Sequence, residues 1–216
     1  MNVQPFRIDT PQPVLDRIQA RLADSRIGYA PDDDGAWQYG TDARYLAELI
    51  DYWRNGYDWR AQEAALNARP QFMANVDGFD IHFYHVRGDG SQKLPIILTH
   101  GWPGSVVEFQ GAMPRLVEAG FDVVIPSLPG YGWSGRPPRP IGPRTVAALW
   151  RKLMVDGLGY PRFFAQGGDW GYQVTSQLGI DHADVVAAIH LNFFMAAPAG
   201  KDPDPALAAY WADVAK

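Results

Sequence analysis

Between Pro95 and Phe193 the chain alternates short, mostly apolar runs with stretches of helical period, and this alternation limits the possible folds more than any other feature. The apolar runs are Pro95–Thr99, Phe121–Ile125, Arg162–Gln166 and Val185–Phe193. The stretches between them predict helices over Glu108–Ala119 (closed by Gly120), Thr145–Leu158 and Tyr172–Ile180. Strands without a polar face are buried on both sides, and strands joined through helices run parallel. The predicted class is therefore α/β, a mostly parallel sheet with helices on both faces.

The first 70 residues read differently. Thr10 is placed to cap a helix opened by Pro11 and Pro13, with Val14, Leu15, Ile18 and Leu22 on one face. The run Pro31-Asp-Asp-Asp-Gly35 breaks it. Thr41 then caps a second helix carrying Leu46, Leu49, Ile50 and Trp53, and Asp58 a third that ends near Asn67. After Pro70, Phe72, Ala74 and Val76 alternate, as do Phe79, Ile81 and Phe83, across Asp77-Gly78, which predicts a hairpin. The expected regions are a helical one over 1–70, an α/β core over 71–195, and a further element over 196–216 that includes a helix at Leu207–Val214.

Composition removes several functional classes. The 216 residues contain no cysteine, which excludes disulfides, thiolate catalysis and cysteine-ligated metals. With 19 Lys+Arg against 24 Asp+Glu and no basic block, no nucleic-acid partner is expected. The apolar runs fall far short of the roughly 20 residues a membrane span needs, and the opening residues have no signal-peptide core. A protein without a membrane partner, located in the cytoplasm, is expected. No P-loop, GxGxxG or HExxH is present, so neither cofactor nor metal is expected.

Two constellations carry chemistry. Gln166-Gly-Gly-Asp169-Trp170-Gly171 lies between a predicted strand and a predicted helix. Small residues flank a central polar one where the turn is too sharp for side chains, which forces Asp169 out over the C-terminal edge of the sheet. A serine there would need a base before it could attack. A carboxylate with a pKa of about 3.9 is already ionised at pH 7, and it suits displacement at an sp³ carbon with formation of an ester. The plainer reading is a Gly-rich turn whose Asp caps the next helix.

The second constellation, Thr99-His100-Gly101-Trp102-Pro103-Gly104-Ser105, follows the strand Pro95–Thr99. A Gly-rich loop there supplies one backbone N–H of an oxyanion hole, and the residue after the nucleophile supplies the other. The predicted donors are the amides of Trp102 and Trp170. The plainer reading is a structural turn with Ser105 as a cap. A third loop, Pro126–Ser134, reaches the same edge and reads equally as a wall of the pocket, with Trp133, Tyr131 and His100 as its candidates, or as a Pro/Gly loop with packing aromatics; His100, which opens the oxyanion loop, is also read as holding that loop's shape. His82, His85, His182 and His190 are read as structural.

These residues resemble the microsomal-type epoxide hydrolases of the α/β-hydrolase superfamily. The resemblance runs through Trp37-Gln-Tyr-Gly40, Tyr45-Leu-Ala-Glu-Leu49, Tyr52-Trp53, Tyr57-Asp-Trp59 and Glu63-Ala-Ala-Leu-Asn67. It continues through Gly78-Phe-Asp-Ile-His82-Phe83, His100–Ser105, Pro129-Gly-Tyr-Gly132 and Gly167–Gly171. It implies an α/β-hydrolase fold preceded by a helical N-terminal extension, and a hydrolase of ether bonds that turns a small apolar epoxide into a vicinal diol in hydrocarbon catabolism or detoxification. It assigns Asp169 as the nucleophile and the Trp102 and Trp170 amides as the hole. A histidine with a carboxylate partner would activate the water, and lid tyrosines would protonate the departing alkoxide. Mammalian members carry an N-terminal anchor, and a version without one is expected here.

In this superfamily the acid and the histidine follow the nucleophile. Only 47 residues follow Asp169 and no histidine follows His190. The expectation is an N-terminal portion holding the start of the lid over 196–216, inactive alone, whose partner is the remainder of the same protein or a complementary fragment. A homo-oligomer is also possible in this reading. A non-catalytic ligand-binding or scaffolding module and a haloalkane dehalogenase are the competing functions.

Overall fold

The computed structural model describes residues 1–31 and 37–195. The chain forms two compact units, Pro5–Phe72 and a second made of Met1–Gln4 with the chain from Met73 onward. The expected element over 196–216, including the Leu207–Val214 helix, lies outside the described residues.

The first unit begins with a strand that periodicity did not reveal, β1 (Val3–Phe6), whose first half belongs to the other unit. Three helices follow, α1 (Gln12–Ala23), α2 (Ala43–Asn55) and α3 (Trp59–Asn67). Thr10 does not cap α1. Pro11 occupies that position with φ −58°, and Pro13 stands in the first turn, so ring geometry starts the helix without a side-chain acceptor. The Thr10 amide instead donates to Glu63 Oε1 at 2.7 Å. Nor does Thr41 cap α2. Asp42, one residue nearer, accepts from the Arg44 and Tyr45 amides at 2.8 and 3.1 Å, and a carboxylate is favoured at the positive end of a helix. Asp58 caps α3 as expected, accepting from the Ala61 amide. Asn67 pairs its amide group with both backbone atoms of Ile8, at 2.9 and 2.8 Å.

The second unit is built on a seven-stranded sheet. After β2 (Gln71–Val76) and β3 (Phe79–Val86) come β4 (Ile96–Thr99), β5 (Val123–Pro126), β6 (Phe163–Gly167) and β7 (Val186–Leu191), in spatial order β1-β2-β3-β5-β4-β6-β7. Asp77 and Gly78 make the β2–β3 turn with φ 51° and 84°, the double left-handed conformation of a tight hairpin. β3 pairs antiparallel with β5, whereas β5, β4, β6 and β7 are mutually parallel. From β4 the chain crosses to β5 on one side and later to β6 on the other. The ends of β4 and β6 therefore flank a topological switch point, where open α/β sheets bind ligands.

Helices α4 (Ala112–Glu118), α5 (Pro143–Lys152) and α6 (Trp170–Asp181) cover the sheet. Leu98 of β4 joins Met113 of α4 in a core with Tyr84, Val106, Val123 and Ile125. Its neighbour Thr99 points the other way and meets the indole N–H of Trp150 on α5. Consecutive residues of one strand thus serve opposite helical layers. The helix expected over Glu108–Ala119 is broken into a 3₁₀ turn, Val106–Phe109, and α4. Pro114 has no N–H to extend a helix backwards, and it is accommodated in the first turn of α4. The segment expected as Thr145–Leu158 is α5 followed by a π turn, Leu153–Gly157.

Candidate active site

β6 runs into α6 through Asp169, whose backbone takes φ 51° and ψ −127°, a conformation rare for any side-chain-bearing residue. The compression around it explains the glycines. A Cβ on Gly167 would come within 2.1 Å of the Gly171 carbonyl oxygen, and one on Gly171 within 2.1 Å of the Thr99 carbonyl oxygen. A Cβ on Gly101 would sit 2.3 Å from Asp169 Oδ1. The strand ends and the loop after β4 close to these distances only because all three positions lack side chains.

Asp169 Oδ1 accepts two backbone hydrogen bonds, from Trp102 and from Trp170, each 2.7 Å. One carboxylate oxygen therefore already occupies the place where two convergent amides bind an anion. Among the described residues no donor is recorded on Oδ2, which leaves it as the atom free to react. Asp169 lines a cavity of about 480 Å³ with Trp102, Glu108, Phe109, Gln166 and Asn192 among its walls. It is open to solvent: Trp102 and Trp170 are 67% and 47% exposed.

Trp133, Tyr131 and His100 are not among the residues lining this cavity. His100 is 1% exposed, with Nδ1 3.0 Å from the Gly101 carbonyl oxygen and Nε2 accepting from the Leu128 amide at 3.0 Å. Both ring nitrogens are used in tying the loop after β4 to the loop after β5, and burial pushes the imidazole pKa down. Tyr131 stands edge-on to that ring. Trp133 packs on the Leu98–Met113 core and against His82, with ring centroids 5.1 Å apart. A loop at a sheet edge can turn an aromatic inward, as Trp133 does.

The other histidines are also engaged in structure. His82 is fully buried beside Ser127 Oγ, and burial lowers it to about 4. His85 meets the Tyr160 hydroxyl, which donates to Asp122. His182 ends α6, its carbonyl accepting from the Val185 and Val186 amides. His190 lies on β7 opposite Gln166. None of the five lines the cavity.

Three polar wall residues were missed in the sequence. Gln166 donates to Asn192 Oδ1 at 3.1 Å, which ties the end of β6 to the residue after β7. Glu108, in the 3₁₀ turn, is the second carboxylate of the cavity. Partial burial raises its pKa, and the Asp169 charge adds to the rise, whereas the nearby Gly101 and Ser105 amides act in the opposite sense. The only signal for Glu108 was an acidic residue in an otherwise apolar turn.

This geometry agrees with what the chain resembles among known proteins. Residues 3–109 match the family described as epoxide hydrolase N terminus, and residues 95–210 match the alpha/beta hydrolase fold. The chain belongs to the α/β-hydrolase fold family. Among curated relatives, juvenile hormone epoxide hydrolase 2 of Ctenocephalides felis is 36% identical, over 88% of this chain and 43% of that protein. Epoxide hydrolase 1 of Sus scrofa is 35% identical, over 88% and 45%. The solved epoxide hydrolase of Aspergillus niger superposes with a TM-score of 0.84 at 31% identity, over 96% of this chain and 56% of that one. The juvenile hormone epoxide hydrolase of Bombyx mori gives 0.80 at 30%, over 89% and 53%. The chain spans about half the length of the relatives it matches.

Proposed function

We propose that this hydrolase opens epoxides through an ester on Asp169. The observation that carries the reading is the asymmetry of the carboxylate in a residue that lines the cavity: two backbone amides hold Oδ1, and among the described residues no hydrogen bond reaches Oδ2. Oδ2 attacks a ring carbon, a C–O bond forms, and the ring C–O bond breaks with its electron pair going to the ring oxygen, which takes the proton that the resemblance assigns to lid tyrosines. Oδ1 then becomes the ester carbonyl oxygen, still between the Trp102 and Trp170 amides. Water attacks Cγ and gives up a proton, and the charge that develops on Oδ1 falls where the donors already point. Collapse breaks the Cγ–Oδ2 bond, the alkyl oxygen takes a proton, and the diol leaves with Asp169 regenerated.

The family resemblance supplies the base for that water as a histidine with a carboxylate partner, and alkoxide protonation from lid tyrosines. The part of the relatives that this chain does not span has room for both. In this reading residues 1–70 are the family's N-terminal region, 71–195 the first part of the core and 196–216 the start of the lid. Among the described residues no helix is long and apolar enough to cross a membrane. We place the protein in the cytoplasm, acting on small apolar epoxides.

The test is Asp169→Asn in the protein as its gene encodes it, with styrene oxide as substrate. The unsubstituted protein is expected to gain the mass of one epoxide transiently on the peptide bearing Asp169. In heavy-oxygen water its first turnover should place the label in that carboxyl group. Asp169→Asn should lose adduct and turnover together, by at least about 10³-fold in rate. Diol formation that persists in Asp169→Asn, or a first-turnover label found in the diol alone, overturns the reading.

A further inference from the structure

The two amides that hold Asp169 Oδ1 are fixed in different ways. Trp170 opens α6, so its N–H is aimed by the helix. Trp102 lies between β4 and the 3₁₀ turn, in a loop with no regular ladder to aim its peptide. The peptide in question joins Gly101 to Trp102. Its N–H donates to Asp169 Oδ1 at 2.7 Å, and its carbonyl oxygen stands 3.0 Å from Nδ1 of the His100 ring. Both ends of one planar group are therefore engaged. In a trans peptide the C=O and the N–H point in opposite directions, so holding the oxygen aims the hydrogen.

The partners of His100 leave its ring one tautomer. The Leu128 amide can only donate, so Nε2 accepts from it at 3.0 Å. The Gly101 oxygen can only accept, so the proton sits on Nδ1. Burial keeps the ring neutral: it is 1% exposed, and desolvation holds its pKa below the usual imidazole value. A donor at a peptide oxygen also draws electrons from the nitrogen, which makes the N–H of that peptide a stronger donor in turn.

We propose that His100 is a positioning residue of the oxyanion hole: its Nδ1–H orients and polarises the 101–102 peptide whose N–H meets Asp169 Oδ1, and the Leu128 amide fixes the tautomer that does so. This rests on the epoxide-opening reading above. The two half-reactions ask different things of that donor. During ester formation the charge of Asp169 passes to the ring oxygen of the epoxide, and Oδ1 becomes a neutral carbonyl oxygen. During ester breakdown a full charge builds on Oδ1. A weakened or misaimed Trp102 amide therefore slows breakdown above all, and the ester accumulates.

The experiment is single-turnover kinetics with styrene oxide on the protein as its gene encodes it, following ester formation and decay by quenched-flow mass analysis. Two variants divide the functions of the ring between them. His100→Asn sets an amide nitrogen near the place of Nδ1 and does not reach Leu128. His100→Gln carries an amide oxygen out toward the place of Nε2 and leaves the Gly101 oxygen without its donor. His100→Gln is expected to slow ester decay by about 10²-fold, the lower end of the loss when a hole donor is removed, with formation much less affected. His100→Asn is expected to restore most of that decay rate. A ring that served only to tie the two loops would give the opposite order, since His100→Gln alone keeps the Leu128 bond. That opposite order, equal decay in the two variants, or decay at the parent rate in His100→Gln overturns the proposal. Nitrogen NMR of the unsubstituted protein tests it without any variant having to fold: the His100 ring should show a protonated Nδ1 and a bare Nε2, and the reverse tautomer overturns the proposal as well. An unsubstituted protein that forms no ester overturns the epoxide-opening reading and this inference with it. One that forms the ester, while the two variants rank the other way, overturns this inference alone.

Discussion

Gly101 and Gly171 are both kept bare by near contacts, but the contacts differ in kind. A methyl at Gly101 meets the Asp169 side chain, and one at Gly171 meets the Thr99 backbone oxygen at 2.1 Å. Gly101→Ala is expected to displace the Asp169 carboxylate from its two amides. Activity should fall by about 10²-fold or more, the loss typical when a hole donor is misplaced, with little change in melting temperature. Gly171→Ala must push strand against helix, and it is expected to cost about 1–3 kcal/mol of stability by denaturant titration. Equal effects of the two substitutions on folding would show that the crowding at Gly101 is not confined to the reactive group. At this scale the sequence is most readable where sterics restrict the choice. Asp169, Trp102 and Trp170 stand out because the glycines around them have one physical explanation. Trp133, Tyr131 and His100 lie outside the walls of the cavity because spacing locates a loop at a sheet edge without saying which way its side chains turn. Glu108 had no pattern to mark it, since it reaches the cavity through a 3₁₀ turn.

Among the elements, two buried acid–base groups make the fold sensitive to low pH in separate windows. Glu63 on α3 receives the Thr10 amide first, with Arg60 adding charge, and its pKa drops from 4.5 to about 2. A carboxyl lowered on folding contributes stability in full above 4.5 and loses it as pH falls toward 2. His82 on β3 is lowered by burial from 6.5 to about 4, so its neutral form favours the fold above 6.5, and that contribution, on the order of 3 kcal/mol, disappears as pH falls toward 4. Urea midpoints measured from pH 7 to 2 should therefore decline in two stages. His82→Gln is expected to flatten the upper stage and Glu63→Gln the lower, and a profile that neither variant changes would refute both assignments. The strands and helices themselves were largely legible, because period and turn chemistry agree over 71–195. The misses have local causes. Pro11, Asp42 and Pro114 each overrode a nearby residue with an equally plausible signal, and β1 is too short for alternation to show.

At the scale of the molecule the order β3-β5-β4-β6-β7 brings the ends of β4 and β6 side by side, so that two loops 67 residues apart share one carboxylate. That adjacency could be inferred from alternating strands and helices, whereas the outer position of β1 depends on a long-range pairing that no local pattern encodes. The same junction holds residue 169 at φ 51° and ψ −127°, a backbone state that costs of the order of 1–3 kcal/mol for a side-chain-bearing residue. Glycine enters that region freely, at an entropic cost of about 1 kcal/mol in the unfolded chain. Asp169→Gly is therefore expected to melt at a higher temperature than the parent while forming no ester, and a lower melting point would show that the bend is unstrained. The sturdiest version of this protein would therefore lack the very acid on which the proposed ester forms.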